Sequence, residues 1–201
     1  MLTHSETNSM NSMYGFEKEC ISKYDKNIFQ ICSEVFNTLP LGHIVNKKIL
    51  VVHGGVFTNN SLTLNDIQKL DRFRQPPEEG PINDILWSDP MEQTGLAPSP
   101  RGVTRTFGPD ITEAFLARNG LDFIIRSHQV QEEGICEMHQ GKCITVFSSP
   151  NYIGQMKNLG AVVRLDFDNE GQLLKKSYEK FQAKPIPEKY PPMKYASFGG
   201  F

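Results

Sequence analysis

The sequence predicts a strand-rich α/β domain whose chemistry gathers where strands end. Two observations carry that expectation. Ile49-Leu50-Val51-Val52 is an apolar, mostly β-branched run that halts at His53-Gly54-Gly55. Such a run reads as a strand buried on both faces, and open α/β sheets place ligands beyond the carboxyl ends of their strands. The pattern then returns over residues 121–128 and 144–152, so three apolar runs finish on His53, His128 and Tyr152. Turn signals crowd the chain past Leu121, which predicts more antiparallel pairing in the second half.

Taken in order, residues 1–15 hold Asn8, Ser9, Asn11 and Ser12 among methionines and read as a loop. A helix follows, in which Ile28, Ile31, Cys32, Val35, Phe36 and Leu39 recur at steps of three and four. That stripe is predicted to pack into the core, and Pro40 ends the helix. Gly54 and Gly55 are expected to turn the chain sharply past His53, because glycine takes conformations other residues avoid. Thr63, with Asp66 three residues on, caps a short helix over 64–70. Residues 84–90 read as a short strand or turn, and 91–102 as an exposed loop rich in Pro and Gly. Asp110 is read as the cap of a helix that stops at Asn119-Gly120. Hairpins are predicted around 138–142, and around 168–171 between runs 161–167 and 173–181. Prolines interrupt residues 185–201, which are expected to form an extended tail.

Composition narrows the function. The 201 residues are 38% hydrophobic, enough for one core, and the formal net charge of -2 gives no reason to expect a nucleic-acid partner. No run of about 20 apolar residues is present to span a membrane, and the first residues lack the basic and apolar regions of a secretory signal. Cys20, Cys32, Cys136 and Cys143 form no CxxC pair, which fits reduced thiols in a cytosolic or nuclear protein. Cys136 and Cys143 are placed to face each other across a hairpin.

Four residues stand out chemically. His53 and His128 occupy equivalent strand ends, and neutral imidazole on a rigid strand end suits a transition metal. A lone histidine is more often structural; two in matching positions shift the balance. Arg101 follows a loop and precedes a glycine, and its planar fork suits two oxygens of one phosphate, against the alternative of a solvated surface arginine. Tyr152 follows Pro150-Asn151 in a turn, where it either donates to a phosphoryl oxygen or packs.

His53-Gly54-Gly55, Trp87-Ser88-Asp89-Pro90, Arg101-Gly102-Val103, Arg126-Ser127-His128 and Ser149-Pro150-Asn151-Tyr152 come in the order and spacing of the serine/threonine phosphoprotein phosphatases. The resemblance covers nearly the whole chain. It implies a calcineurin-like metallophosphoesterase fold, a four-layer α/β/β/α sandwich with two mixed sheets, here lacking its N-terminal part. It further implies hydrolysis of phosphoserine and phosphothreonine in protein substrates by a metal-activated water. In the family two divalent ions serve, manganese or iron/zinc. By motif, His53 and His128 resemble ligands of one ion, Arg101 a phosphate-binding arginine and Tyr152 the tyrosine at the phosphate rim. The family's GDxHG and GDxxDRG motifs do not occur here. Where the family has GNHE, this chain has Thr3-His4-Ser5-Glu6, so His4 replaces an asparagine ligand and Ser5 the general-acid histidine. The resemblance therefore implies residues 1–201 as the C-terminal portion of a catalytic domain that holds at most one ion and is inactive alone. The alternative is a pseudophosphatase or phosphoprotein-binding module. Chaperone-binding repeats found ahead of the domain in one family member do not occur in the sequence.

Overall fold

A computed structural model describes residues 1–59, 61–185, 187 and 189. In chain order its helices are α1 (Asn8–Met13), α2 (Phe16–Lys23), α3 (Lys26–Thr38), α4 (Leu64–Gln68), α5 (Pro81–Trp87) and α6 (Pro109–Asn119). Its strands are β1 (Gly42–Val45), β2 (Ile49–Val52), β3 (Asp89–Pro90), β4 (Leu96–Pro98), β5 (Arg105–Phe107), β6 (Phe123–Arg126), β7 (Ile135–Met138), β8 (Cys143–Val146), β9 (Gly160–Phe167) and β10 (Leu173–Phe181).

The architecture is α/β, as expected. Its centre is a mixed sheet in the order β1-β2-β6-β8-β7. β2, β6 and β8 run parallel, and β1 and β7 pair antiparallel at the edges. One face packs on helices: Leu50, Val52, Ile124 and Cys143 meet Ile85, Leu86, Phe115 and Leu116. The other face packs on the β9–β10 ribbon, where Ile49, Phe123, Ile125 and Ile144 meet Val163, Leu165 and Phe167. Burying each such side chain contributes about 1.5–3 kcal/mol, so two-sided burial holds the three parallel strands rigid.

Several expectations change. Residues 1–15 are not a loop. Thr3 and Glu6 form a capping box over a 3-10 turn, His4–Glu6, and Thr7 caps α1 with its hydroxyl. Residues 84–90 give a helix before the strand, because Pro81 suits the first turn of α5. The loop 91–102 contains β4, paired with β5. Gly108 rather than Asp110 is the cap of α6, and the Asp110 carboxylate instead accepts from Gly95 N at 2.7 Å. On α3, Phe29 is buried, but Ile31 and Val35 are 47% and 53% exposed. Periodicity marked an apolar face there; only part of it meets the core. Cys136 lies opposite Thr145 and Cys143 opposite Met138, so the two thiols are out of register and all four cysteines are free. β2 has neighbours on both sides, β1 and β6. Of the expected tail 185–201, all but residues 185, 187 and 189 lie outside the described residues.

Candidate metal and phosphate site

The strand ends converge as predicted. β2 delivers His53 and β6 delivers His128, and Ser127 N donates to His53 O at 3.0 Å, tying the two ends together. His128 sits at φ 66°, a left-handed conformation that is uncommon for a non-glycine residue. Gly54 and Gly55 do not serve by turning, since neither has a positive φ. Gly54 is needed for close approach: a Cβ there would lie 2.7 Å from the backbone of Ile85, Leu86 and Trp87. That contact lets the end of α5 pass beside the strand ends and feed Trp87 and Asp89 into the site.

His4 joins them. Its segment is anchored rather than free, because Leu2 is buried in the main core, Leu2 N donates to Pro40 O at 2.8 Å, and the capping box fixes the turn. The His4 ring stacks on Trp87 with centroids 4.3 Å apart, and lies 5.0 Å from the His53 ring and 4.8 Å from the His128 ring. One ligand atom from each of the three histidines falls within 4.8 Å of the others. His4 Nδ1, His53 Nε2 and both nitrogens of His128 are buried without hydrogen-bond partners. Orphaned buried imidazole nitrogens are rare in folded proteins, and three facing one point fit a divalent ion.

Burial first, then the neighbouring charges of His128 and His4, lowers the pKa of His53 to about 2. Burial first, then His128 and Arg101, lowers that of His4 to about 4. Burial also lowers His128, with the contact to Asp89 opposing it. All three rings are therefore neutral near pH 7, the form that ligates a metal.

Asp89 organises the other side. Its carboxylate accepts from Arg126 Nη2 at 2.6 Å and from Arg101 Nε at 2.6 Å, and lies 3.1 Å from His128 Nδ1 without hydrogen-bond alignment. Burial disfavours its charge, but the contacts with His128, Arg126 and Arg101 outweigh burial and hold it below the usual carboxylate range. Arg126 is fully buried and also donates to Gly54 O and to Gln129 Oε1. Arg101 donates to Asp89 and, through Nη2, to His128 O at 3.2 Å. Its side chain is one-third exposed, and Nη1 has no hydrogen-bond partner among the described residues. Arg101 borders a cavity of about 750 Å³ whose lining includes Thr7, Gln75, Asn83, Trp87 and Val103.

The structure thus brings His53, His128 and Arg101 together. Tyr152 is exposed and sits edge-on to Phe147, and no hydrogen bond or ring contact among the described residues joins it to the histidines or to Arg101. Sequence reading quoted Asp89 and Arg126 within motifs but gave neither a role of its own. It underused His4, although the Thr-x-x-Glu capping pattern around it was visible.

A calcineurin-like phosphoesterase family model matches residues 6–132, and the chain belongs to that family. Its close homologues are serine/threonine-protein phosphatases 5 and T. It is 48% identical over 192 residues to serine/threonine-protein phosphatase 5 of Homo sapiens, covering 96% of this chain and 38% of that protein. It is 50% identical over 195 residues to serine/threonine-protein phosphatase T of Trypanosoma brucei brucei (strain 927/4 GUTat10.1), covering 96% of this chain and 40% of that one. A solved protein serine/threonine phosphatase from Saccharomyces cerevisiae, described as similar to human phosphatase PP5, superposes with a TM-score of 0.85 at 40% identity, over 92% of this chain and 60% of that chain. The chain thus spans about two-fifths of the length of the curated relatives it matches.

Proposed function

We propose that the chain carries the one-ion, phosphate-reading part of a protein serine/threonine phosphatase site, and that alone it binds phosphoserine and phosphothreonine in proteins without hydrolysing them at a useful rate. In this reading residues 1–201 are the C-terminal portion of the catalytic domain. The observation that carries it is the group of orphaned imidazole nitrogens on His4, His53 and His128 beside Arg101. A divalent ion held by those three residues would polarise a phosphoryl oxygen and lower the pKa of a bound water.

The remaining work falls to the chain's own groups. Asp89 fixes Arg101 by its Nε, which aims the free Nη1 end at the phosphate. Charge-assisted donors of this kind steady an anion more strongly than neutral ones. Asp89 also lies 3.1 Å from His128 Nδ1, which would leave Nε2 as the nitrogen offered to an ion. Trp87 backs His4 and keeps its ring face dry. Two parts of the reaction lack residues here. Among the described residues His4, His53 and His128 are the single cluster of potential ligands, and a clamp on attacking and leaving oxygens needs two ions. Ser5 is exposed, and a serine hydroxyl is a poor proton donor near neutral pH.

The test is to titrate the purified chain with a phosphoserine peptide in the presence of zinc or manganese and to follow phosphate release. Binding that needs both the phosphate and Arg101, without release, is expected. Steady release abolished by His53→Ala would contradict the reading.

A further inference from the structure

The α2–α3 hairpin brings together two thiols that the phosphate site does not use. Only Tyr24 and Asp25 join the two helices, and Asp25 caps α3 by accepting from Ile28 N at 2.9 Å. Phe16 on α2 lies against Phe29 and Phe36 on α3, with ring centroids 6.3 Å and 5.7 Å away. Cys20 follows Phe16 by one turn on the same face of α2, and Cys32 falls between Phe29 and Phe36 on the facing stripe of α3. The two thiols accordingly lie beside each other, Cys20 buried and Cys32 half-buried. Burial first, then the neighbouring Cys32, pushes the Cys20 thiol above its ordinary value. Cys20 is therefore unreactive by itself, and Cys32 is the thiol that solvent reaches.

The other two cysteines are arranged differently. Cys136 faces Thr145 and Cys143 faces Met138 across β7 and β8, which sets the pair diagonally. Diagonal neighbours of an antiparallel pair lie about 7–8 Å apart, beyond the span of a disulfide. Cys143 is also fully buried, and burial pushes its thiol up to about 12.

We propose that Cys20 and Cys32 form a reversible disulfide within one chain when hydrogen peroxide is present, with Cys32 oxidised first and Cys20 resolving it. Peroxide transfers one oxygen to the Cys32 sulfur, giving a sulfenic acid and one water. The Cys20 sulfur then attacks the Cys32 sulfur. The S–S bond forms, the S–O bond breaks, and the hydroxyl leaves with the Cys20 proton as a second water. Two thiols lose two electrons and two protons, and one peroxide becomes two waters. The bridge closes residues 20–32 into a loop, which restricts the unfolded chain more than a hairpin in which the pair is already adjacent. Its effect extends to the cavity beside Arg101, because α3 supports one wall: Ser33 donates to Asn8, and Asn37 accepts from Gln75 at 2.9 Å.

The experiment treats the purified, reduced chain with hydrogen peroxide, alkylates the remaining thiols in urea and maps tryptic peptides by mass spectrometry without reductant. Lys23 and Lys26 separate the two cysteines, so a bridge appears as two joined peptides. The expected product joins Cys20 to Cys32, runs as a monomer on a non-reducing gel, reverts with dithiothreitol and leaves Cys136 and Cys143 alkylated. The bridged chain should melt about 5–10 °C above the reduced one. Cys20→Ser should leave on Cys32 a sulfenic acid that dimedone traps, whereas Cys32→Ser should leave Cys20 unoxidised. Absence of the joined peptide, a bridge between two chains, or a Cys136–Cys143 bridge in its place overturns the pairing. Dimedone labelling of Cys20 in Cys32→Ser overturns the order of oxidation. A bridged chain that melts no higher overturns the fit of the bridge to the packed hairpin. The mapping on the wild-type chain needs no variant to fold.

Discussion

His139 is buried and His53 half-buried at the margins of the same sheet, and their ring nitrogens are treated in opposite ways. His139 has both nitrogens engaged, Nδ1 with Thr112 Oγ1 at 2.8 Å and Nε2 with Met91 O at 2.9 Å. His53 Nε2, His4 Nδ1 and both nitrogens of His128 are buried with no such partner. Burial lowers the pKa in both regions, so burial does not separate them; the count of partners does. A ring with both nitrogens satisfied joins α6 to the strand layer. Rings left open toward one another make a place for something the chain does not supply.

The largest effect that would break this comparison lies behind the open histidines. Asp89→Ala leaves Arg126 fully buried without its carboxylate, and removing one partner of a buried pair costs about 3–5 kcal/mol. Urea unfolding should show a loss of that size, and a loss under about 1 kcal/mol would mean that Asp89 is not the organiser described here. Next, His53→Ala should weaken divalent-ion binding about a hundredfold, whereas His139→Ala should leave it unchanged. If the two variants bind the ion alike, partner counting does not identify ligands. His139→Ala should appear instead in stability, by about 2 kcal/mol, since Thr112 and the Met91 carbonyl lose their buried partner.

The smallest effect is the pH dependence. His53 and His4 are held at about 2 and about 4 in the fold, against an ordinary value of 6.5. Between those values and 6.5 the unfolded chain binds more protons, so stability is full above pH 6.5 and falls as the pH drops toward 4. The slope is at most about 1.4 kcal/mol per pH unit for each histidine, with His4, the more open to solvent, giving less. Melting without added metal at pH 7 and pH 5 should show the lower value at pH 5; equal or rising melting temperatures would show that the rings charge freely.

The parts of the fold read well from sequence are those in which one stretch decides its own structure. Ile49–Val52 is apolar throughout because it is buried on both faces, and Leu173–Phe181 is bounded by its turn; both strands fall where the pattern puts them. The histidine-tipped strands follow from the same signal. What stayed hidden depends on partners distant in sequence. Asp89 meets Arg126 37 positions away, and although each stands in a quoted motif, no local pattern says that the two pair. Ile31 and Val35 obey helical period yet face outward, because period defines a face and not what covers it. His4 is held by Leu2 reaching Pro40, a contact no local pattern contains.

The most direct test of the central claim is a cobalt titration of the purified chain followed by visible absorption, with zinc competition. One ion per chain is predicted, with the intense bands of a low-coordinate, nitrogen-rich site, displaced by zinc far more readily than by manganese, because three imidazoles favour zinc over an oxygen-seeking ion. His4→Ala should lower the affinity at least tenfold. Absence of saturable binding, or a spectrum and affinity untouched by His4→Ala, would contradict the account.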